Sequence, residues 1–214
     1  MSAKGERSRE NILSATKQLV MGKGFAGTAI DDILVAAGVS KGAFFHHFKS
    51  KAHLASELVR WHAVKDLKMF RTLAAEVEAR HDDPYDQLIA FLEGFEAHIS
   101  NPNEPSRGCM YALYTYEDNQ FVPEVQDFVA DVLREWTSIY VRKFQEVLDR
   151  YEPVQPVTAR QLAEMIVSII EGGLVLQRAY GNVNVTARQS EHFRSYLKLL
   201  IPQARMDQVS PVTA

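Results

Sequence analysis

The chain has a single cysteine, Cys109, among 214 residues. One thiol excludes an internal disulfide framework and agrees with a reducing compartment. Apolar residues make up 46% of the chain, yet no run approaches the roughly 18 consecutive positions that a membrane helix needs. The amino terminus carries no apolar stretch of signal-peptide length. The expected location is therefore cytoplasmic, with no membrane partner. No segment alternates apolar and polar residues as a half-buried strand would, and there are no repeats or low-complexity tracts. Also missing are a glycine-rich phosphate loop, a nucleophile beside a base, a His-Glu-x-x-His sequence and paired cysteines. These gaps argue against an enzyme, a metal site and a cofactor.

Charge is present but unevenly spread. The chain carries a net −3, whereas residues 1 to 51 hold eight Lys/Arg against four acids, a local +4 that leaves −7 for the remainder. A cationic head on an acidic body is the distribution of a protein that meets phosphates with one end only.

That head contains the most informative stretch, Gly24 to Lys51, GFAGTAIDDILVAAGVSKGAFFHHFKSK. Thr28 is the expected N-cap of a first helix, with Asp31 three residues on, and Ile30, Ile33, Leu34 and Ala37 recur at helical spacing. Gly38 stops it, Val39 fills the corner and Ser40 caps a second helix of about two turns. Phe44 and Phe48 should face inward, while Lys41 and Phe45 share the opposite face. Two short helices around a tight turn, with cations on the second, describe a helix-turn-helix DNA reader. An outward Phe can touch a thymine methyl or a sugar, Lys41 can reach a phosphate or a guanine edge, and Gly42 lets the backbone approach the groove.

These 28 residues closely resemble the DNA-binding signature of the TetR family of bacterial regulators, in which Gly-Val-Ser-Lys-Gly leads into aromatic and His residues and then Phe-x-Ser-Lys. The resemblance implies that Thr28, Phe45, His47 and Lys51 contact the DNA backbone, that Lys41, Gly42 and Ala43 face the bases, and that Ser40 and His46 complete the surface. Three positions depart from the common pattern: Ala29, Ala43 and Phe45 stand where a hydroxyl is usual. Each departure removes a phosphate hydrogen bond, which leaves as an alternative a sensor of the same fold with weak or lost operator binding.

Downstream periodicity predicts further helices. The first should run from Ser8 to Met21, ended by Gly22 and Gly24. A long one starts at the Ser50 cap and reaches Arg80, and another opens at Asp83-Pro84 and runs to Ile99. The Asn- and Pro-rich stretch 100–106 reads as a loop before a short aromatic helix from Gly108 to Tyr116. A second long helix spans Pro123 to Tyr151. Capping boxes at Thr158/Gln161 and Thr186/Gln189 open the last two, which close at Gly181 and Pro202. The expectation is an all-α chain of about nine helices: a reader at 1–52, a helical ligand-binding and dimerisation body at 53–202, and a flexible tail at 203–214. His81-Asp82-Asp83 looks like the His-Asp pair of metal phosphohydrolases, but Asp capping accounts for it. The neighbours His46 and His47 would project about 100° apart on a helix and cannot converge on one ion.

Family resemblance also implies a homodimer through helices near 159–181 and 187–201, a double-stranded operator and a small-molecule effector. Gly172 and Gly173 suit close helix approach, and Ile166, Ile169, Ile170, Leu197 and Leu200 form an expected apolar seam. Gly108-Cys109-Met110 and Glu171-Gly172-Gly173-Leu174 resemble an electrophile- and quinone-responsive branch of the family. Candidate effector contacts are Phe91, Phe95, His98, Tyr111, Tyr114, Trp136, Tyr140 and Gln177, aromatic walls with few polar handles that suit an apolar or aromatic molecule. Ordinary core packing is the competing reading for each of them. Cys109, at a helix start beside Arg107, is a candidate reactive thiol, against the alternative of an inert buried one.

Overall fold

The computed structural model describes residues 3–101, 108–117, 121–181, 184–202 and 204. Among them it contains nine helices and no strand: α1 (Ala3–Lys23), α2 (Ile30–Ala37), α3 (Lys41–His47), α4 (Lys51–Arg80), α5 (Pro84–Ile99), α6 (Met110–Tyr116), α7 (Pro123–Arg150), α8 (Ala159–Tyr180) and α9 (Val185–Leu200). The all-α expectation holds. The expected tail lies almost wholly outside the described residues, as do most of the 100–106 loop and Arg107.

Capping chemistry sets most boundaries. The Asp83 carboxylate accepts from the amides of Tyr85 and Asp86, with Pro84 leading the helix. The Ser50 hydroxyl accepts from the amide of His53 at the head of α4. Thr158 and Gln161 form the predicted capping box of α8. Some boundaries differ from expectation. α1 begins at Ala3 and runs through Gly22 to Lys23, because one glycine costs a helix only about 1 kcal/mol. The N-cap of α2 is Ala29, not Thr28, and the carboxylate that reaches back to its amide is Asp32, not Asp31. α9 starts at Val185 behind Asn184, so Thr186 is not a cap. Its hydroxyl instead donates to the side-chain oxygen of Gln177 at 3.1 Å.

Packing divides the chain into one compact unit of residues 1–67 with 109–133 and another of 68–108 with 134–214. The first part of α4 and all of α6 belong with the reader, since Tyr114 of α6 donates to the Ala55 carbonyl at 2.7 Å and Tyr111 to Asp66 at 3.1 Å.

In the first unit Ile12, Leu13, Val20, Ile33, Phe44, Phe48, Leu54 and Leu58 are fully buried. Each such side chain removes apolar surface worth about 1.5–3 kcal/mol from water. The second unit is built around Phe70, Phe91, Phe95, Trp136 and Tyr140, with ring centroids 4.8 to 6.2 Å apart. Arg194 of α9 ties α5 through Glu93 and Glu96. At the α8–α9 contact Gly173 faces Thr186, and a Cβ on it would lie 2.8 Å from the Thr186 Cα. Ile166, Ile170, Leu197 and Leu200 are buried within the unit. These four expected seam residues therefore pack the chain against itself. Gly172, in contrast, faces open space.

Candidate nucleic-acid interface

The α2–α3 turn is shaped by Gly38, whose φ of +63° lies in the left-handed region open to glycine. Its amide and that of Val39 return to the carbonyls of Val35 and Leu34, which closes α2 and frees the chain to start α3 at a new angle. The Ser40 hydroxyl accepts from the Ala43 amide at 3.2 Å. Ser40 thus caps α3, as its place before the helix predicts. Phe44 and Phe48 face inward as expected, with rings 5.7 Å apart.

That inward pair leaves Lys41, Gly42, Phe45 and His46 on the outer face of α3, with Ala43 and His47 half-buried beside them. Phe45 is 42% exposed, held edge-on to Phe44 at 5.2 Å. An aromatic ring fixed from below and open above is suited to apolar contact in a groove. The His47 imidazole is held below its ordinary value, first by burial and then by the positive charges of His46 and Arg9. The two rings meet at 71°.

Two other expected contacts are placed differently. Thr28 is 1% exposed, and its hydroxyl donates to the Gly24 carbonyl at 2.7 Å. Its side chain braces the turn from inside and does not reach the surface. The Lys51 amine lies 5.0 Å above the Phe25 ring, half-buried. Arg9 and Lys23, counted among the cations of the head, are paired with Glu57 and Asp32.

One residue of this unit escaped the sequence reading. The two carboxylate oxygens of Glu117, at the end of α6, accept from the amides of Phe25 at 3.0 Å and Ala26 at 2.8 Å. The partners are more than 90 positions apart, so no periodicity or local spacing signals them.

The candidate effector contacts are drawn from both units. Phe91, Phe95, Trp136 and Tyr140 share the aromatic cluster of the second unit, where the Tyr140 hydroxyl is fully buried and has no hydrogen-bond partner among the described residues. His98 is exposed on α5, and Gln177 is engaged with Thr186. Tyr111, Tyr114 and the half-buried Cys109 lie in the first unit. There the Tyr111 ring stacks on His62 at 5.3 Å. Burial pushes the Asp66 carboxyl up to about 6 against the opposing effects of the Tyr111 hydrogen bond and Lys17. Burial, with Lys17 and Lys65, pushes His62 down to about 3.

Residues 12–58 match the pattern described as bacterial regulatory proteins, tetR family, and residues 84–192, about half the chain, match the LmrA/YxaF-like transcriptional regulator C-terminal domain. The chain belongs to the TetR family. It is a TetR-family helix-turn-helix transcriptional regulator, and the relatives that it matches are regulators rather than enzymes. It is 40% identical over 183 residues to an HTH-type regulator from the lacX 3' region of Lactococcus lactis subsp. lactis, covering 83% of this chain and 87% of that one. To the HTH-type transcriptional regulator LmrA of Bacillus subtilis (strain 168) it is 28% identical over 171 residues, 79% of this chain and 85% of the other. A crystal structure of a TetR regulator from Chloroflexus aurantiacus J-10-FL superposes with a TM-score of 0.78 at 28% identity, over 94% of this chain and 98% of that chain. No helix of the described residues is long and apolar enough to cross a membrane.

Proposed function

We propose that this TetR-family chain is a cytoplasmic homodimeric repressor that binds a near-palindromic operator and is released by a small apolar or aromatic molecule, or by modification of Cys109. The observation that carries operator binding is the outer face of α3, where Lys41, Gly42, Phe45 and His46 stand exposed on a helix whose cap and inner face are already satisfied. The repressor sense is carried over from relatives so named, the HTH-type transcriptional repressor DhaR of Mycobacterium sp. (strain GP1) among them.

A dimer is supported by a stripe that the chain itself leaves uncovered. On α8, Met165, Ile169, Gly172, Leu176 and Tyr180 recur at intervals of four or three, which places them on one helix face. Met165, Leu176 and Tyr180 are 41%, 39% and 69% exposed, and on α9 Tyr196 and Leu199 are 38% and 75% exposed. Apolar side chains left outward at helical spacing suit a second copy of the same surface. One recognition helix contacts too few base pairs for strong specificity, so pairing two heads also answers a need of the DNA.

The effector reading draws on the second unit. A buried hydroxyl without a partner is costly, and a ligand group hydrogen-bonded to Tyr140 would remove that cost inside the aromatic cluster. Ligand binding would then favour a head spacing that no longer fits successive major grooves.

Selection of fragmented genomic DNA on the purified full chain, sequenced after moderate- and high-salt washes, tests the reading. Enrichment of an inverted repeat supports it. Salt-sensitive retention with no enriched sequence would favour the sensor without operator affinity, the alternative motivated by the missing hydroxyls at Ala29, Ala43 and Phe45.

A further inference from the structure

The C-terminal end of a helix carries partial negative charge, so a carboxylate there is repelled by the unpaired carbonyls unless something else holds it. Glu117 is the C-cap of α6, half-buried, and what holds it is the reader. Its two oxygens take the consecutive amides of Phe25 and Ala26, in the turn between α1 and α2. Two neighbouring amides converging on one anion form a strong, charge-assisted pair.

The turn is adapted to this grip in two further ways. Gly24 has a φ of +78°, and a Cβ placed on it would lie 2.8 Å from the Glu117 Oε1. A side chain at 24 would thus meet a strained backbone and the carboxylate together. Next to it, the Phe25 ring is 4% exposed. It lies 5.3 Å from Phe121 and 6.4 Å from Tyr114, and those two rings stack at 4.3 Å. Lys51, the first residue of α4, covers Phe25 with its amine. The inner side of α6 therefore makes three attachments at positions 111, 114 and 117: Asp66, the Ala55 carbonyl and the reader's own turn. Only the last touches the helix-turn-helix backbone directly.

We propose that Glu117 is a positioning residue for DNA recognition: its carboxylate clasps the Gly24–Ala26 turn, so that the placement of α6 sets the placement of the α2–α3 reader. This role rests on operator binding by α3, but the clasp itself is measurable without DNA. Neutralising Glu117 breaks the grip while removing a negative charge from beside a phosphate-binding surface. Electrostatics alone would make such a variant bind all DNA more tightly. Loss of positioning would weaken the selected sequence while leaving random DNA unaffected or bound more tightly. The two explanations differ in sign.

The first arm follows the amide resonances of Phe25 and Ala26 in the full wild-type chain through an acid titration. Both are expected to shift together with one carboxyl ionisation that disappears in Glu117→Gln. Amides that do not follow a carboxylate would overturn the clasp, whether or not an operator is ever found. The second arm measures Glu117→Gln, Gly24→Ala and the double variant against the inverted repeat selected by the wild type and against random-sequence DNA. Each single change is expected to weaken specific binding about tenfold, and the double change no more than the worse single one, since both break the same contact. Tighter binding of Glu117→Gln to both DNAs, or fully additive losses, would overturn the positioning role. If the variants do not fold, the wild-type titration still decides whether the carboxylate holds the turn.

Discussion

His47 and Asp66 show how burial sets the chemistry of single residues here. His47 lies below its ordinary 6.5 in the free protein, chiefly through burial. A phosphate beside the ring favours the charged imidazole, so binding at this position takes up a proton. Affinity for DNA at constant salt is expected to rise as pH falls from about 7.5 to about 6, and His47→Gln to flatten that slope in fluorescence anisotropy. An unchanged slope would remove His47 from the contact surface. Asp66 affects stability instead. Burial raises its carboxyl from the ordinary 3.8 to about 6, so the fold favours the neutral acid. That contribution is complete below the lower value and is lost as pH rises through the upper one. His62 runs the opposite way, at about 3 against 6.5, and its contribution is lost as pH falls from the ordinary value toward the depressed one. Asp66→Asn should therefore stabilise the chain by about 2–3 kcal/mol near pH 7 and by almost nothing near pH 4. Urea unfolding at the two pH values checks this, and an equal gain at both would rule out the carboxyl as its source.

At the scale of elements, α8 presents different faces through adjacent glycines. Gly173 lies against the α9 backbone, whereas a Cβ on Gly172 would point into open space. Gly173→Ala must push α9 away and should cost about 1–3 kcal/mol. Gly172→Ala should leave the isolated chain unchanged or more stable by up to about 1 kcal/mol, through helix propensity. Thermal unfolding of the two variants tests the difference, and equal losses would contradict the assigned faces. Helix starts show the same dependence on neighbours. The Thr186/Gln189 pattern satisfies every local requirement of a capping box, yet Gln177 draws the Thr186 hydroxyl into the α8–α9 contact, and the helix begins before it. Thr28 behaves alike, bonding back to Gly24 and leaving Ala29 at the cap.

For the whole molecule, the balance of +4 over residues 1–51 against −7 elsewhere directs phosphates to the reader, so DNA affinity should fall steeply with salt. Dimerisation would double that surface. Leu176→Glu puts a charge in the outward stripe of α8 and is expected to give a folded monomer in sedimentation. It should keep salt-dependent binding to random DNA and lose preference for the inverted repeat. A Leu176→Glu chain that stays dimeric would place the interface elsewhere.

The nine helices, the turn at Gly38, the inward Phe44 and Phe48 and the outward Lys41 and Phe45 were all legible in the sequence, because each depends on spacing within a few residues along one helix. Family membership was legible for the same reason, since its signature is a local block. Tertiary structure alone decided which apolar residues of α8 and α9 are spent inside the chain and which remain outward. It also brought Glu117 to the turn at Phe25. Such pairings join positions far apart in the chain, and only packing determines which distant groups meet.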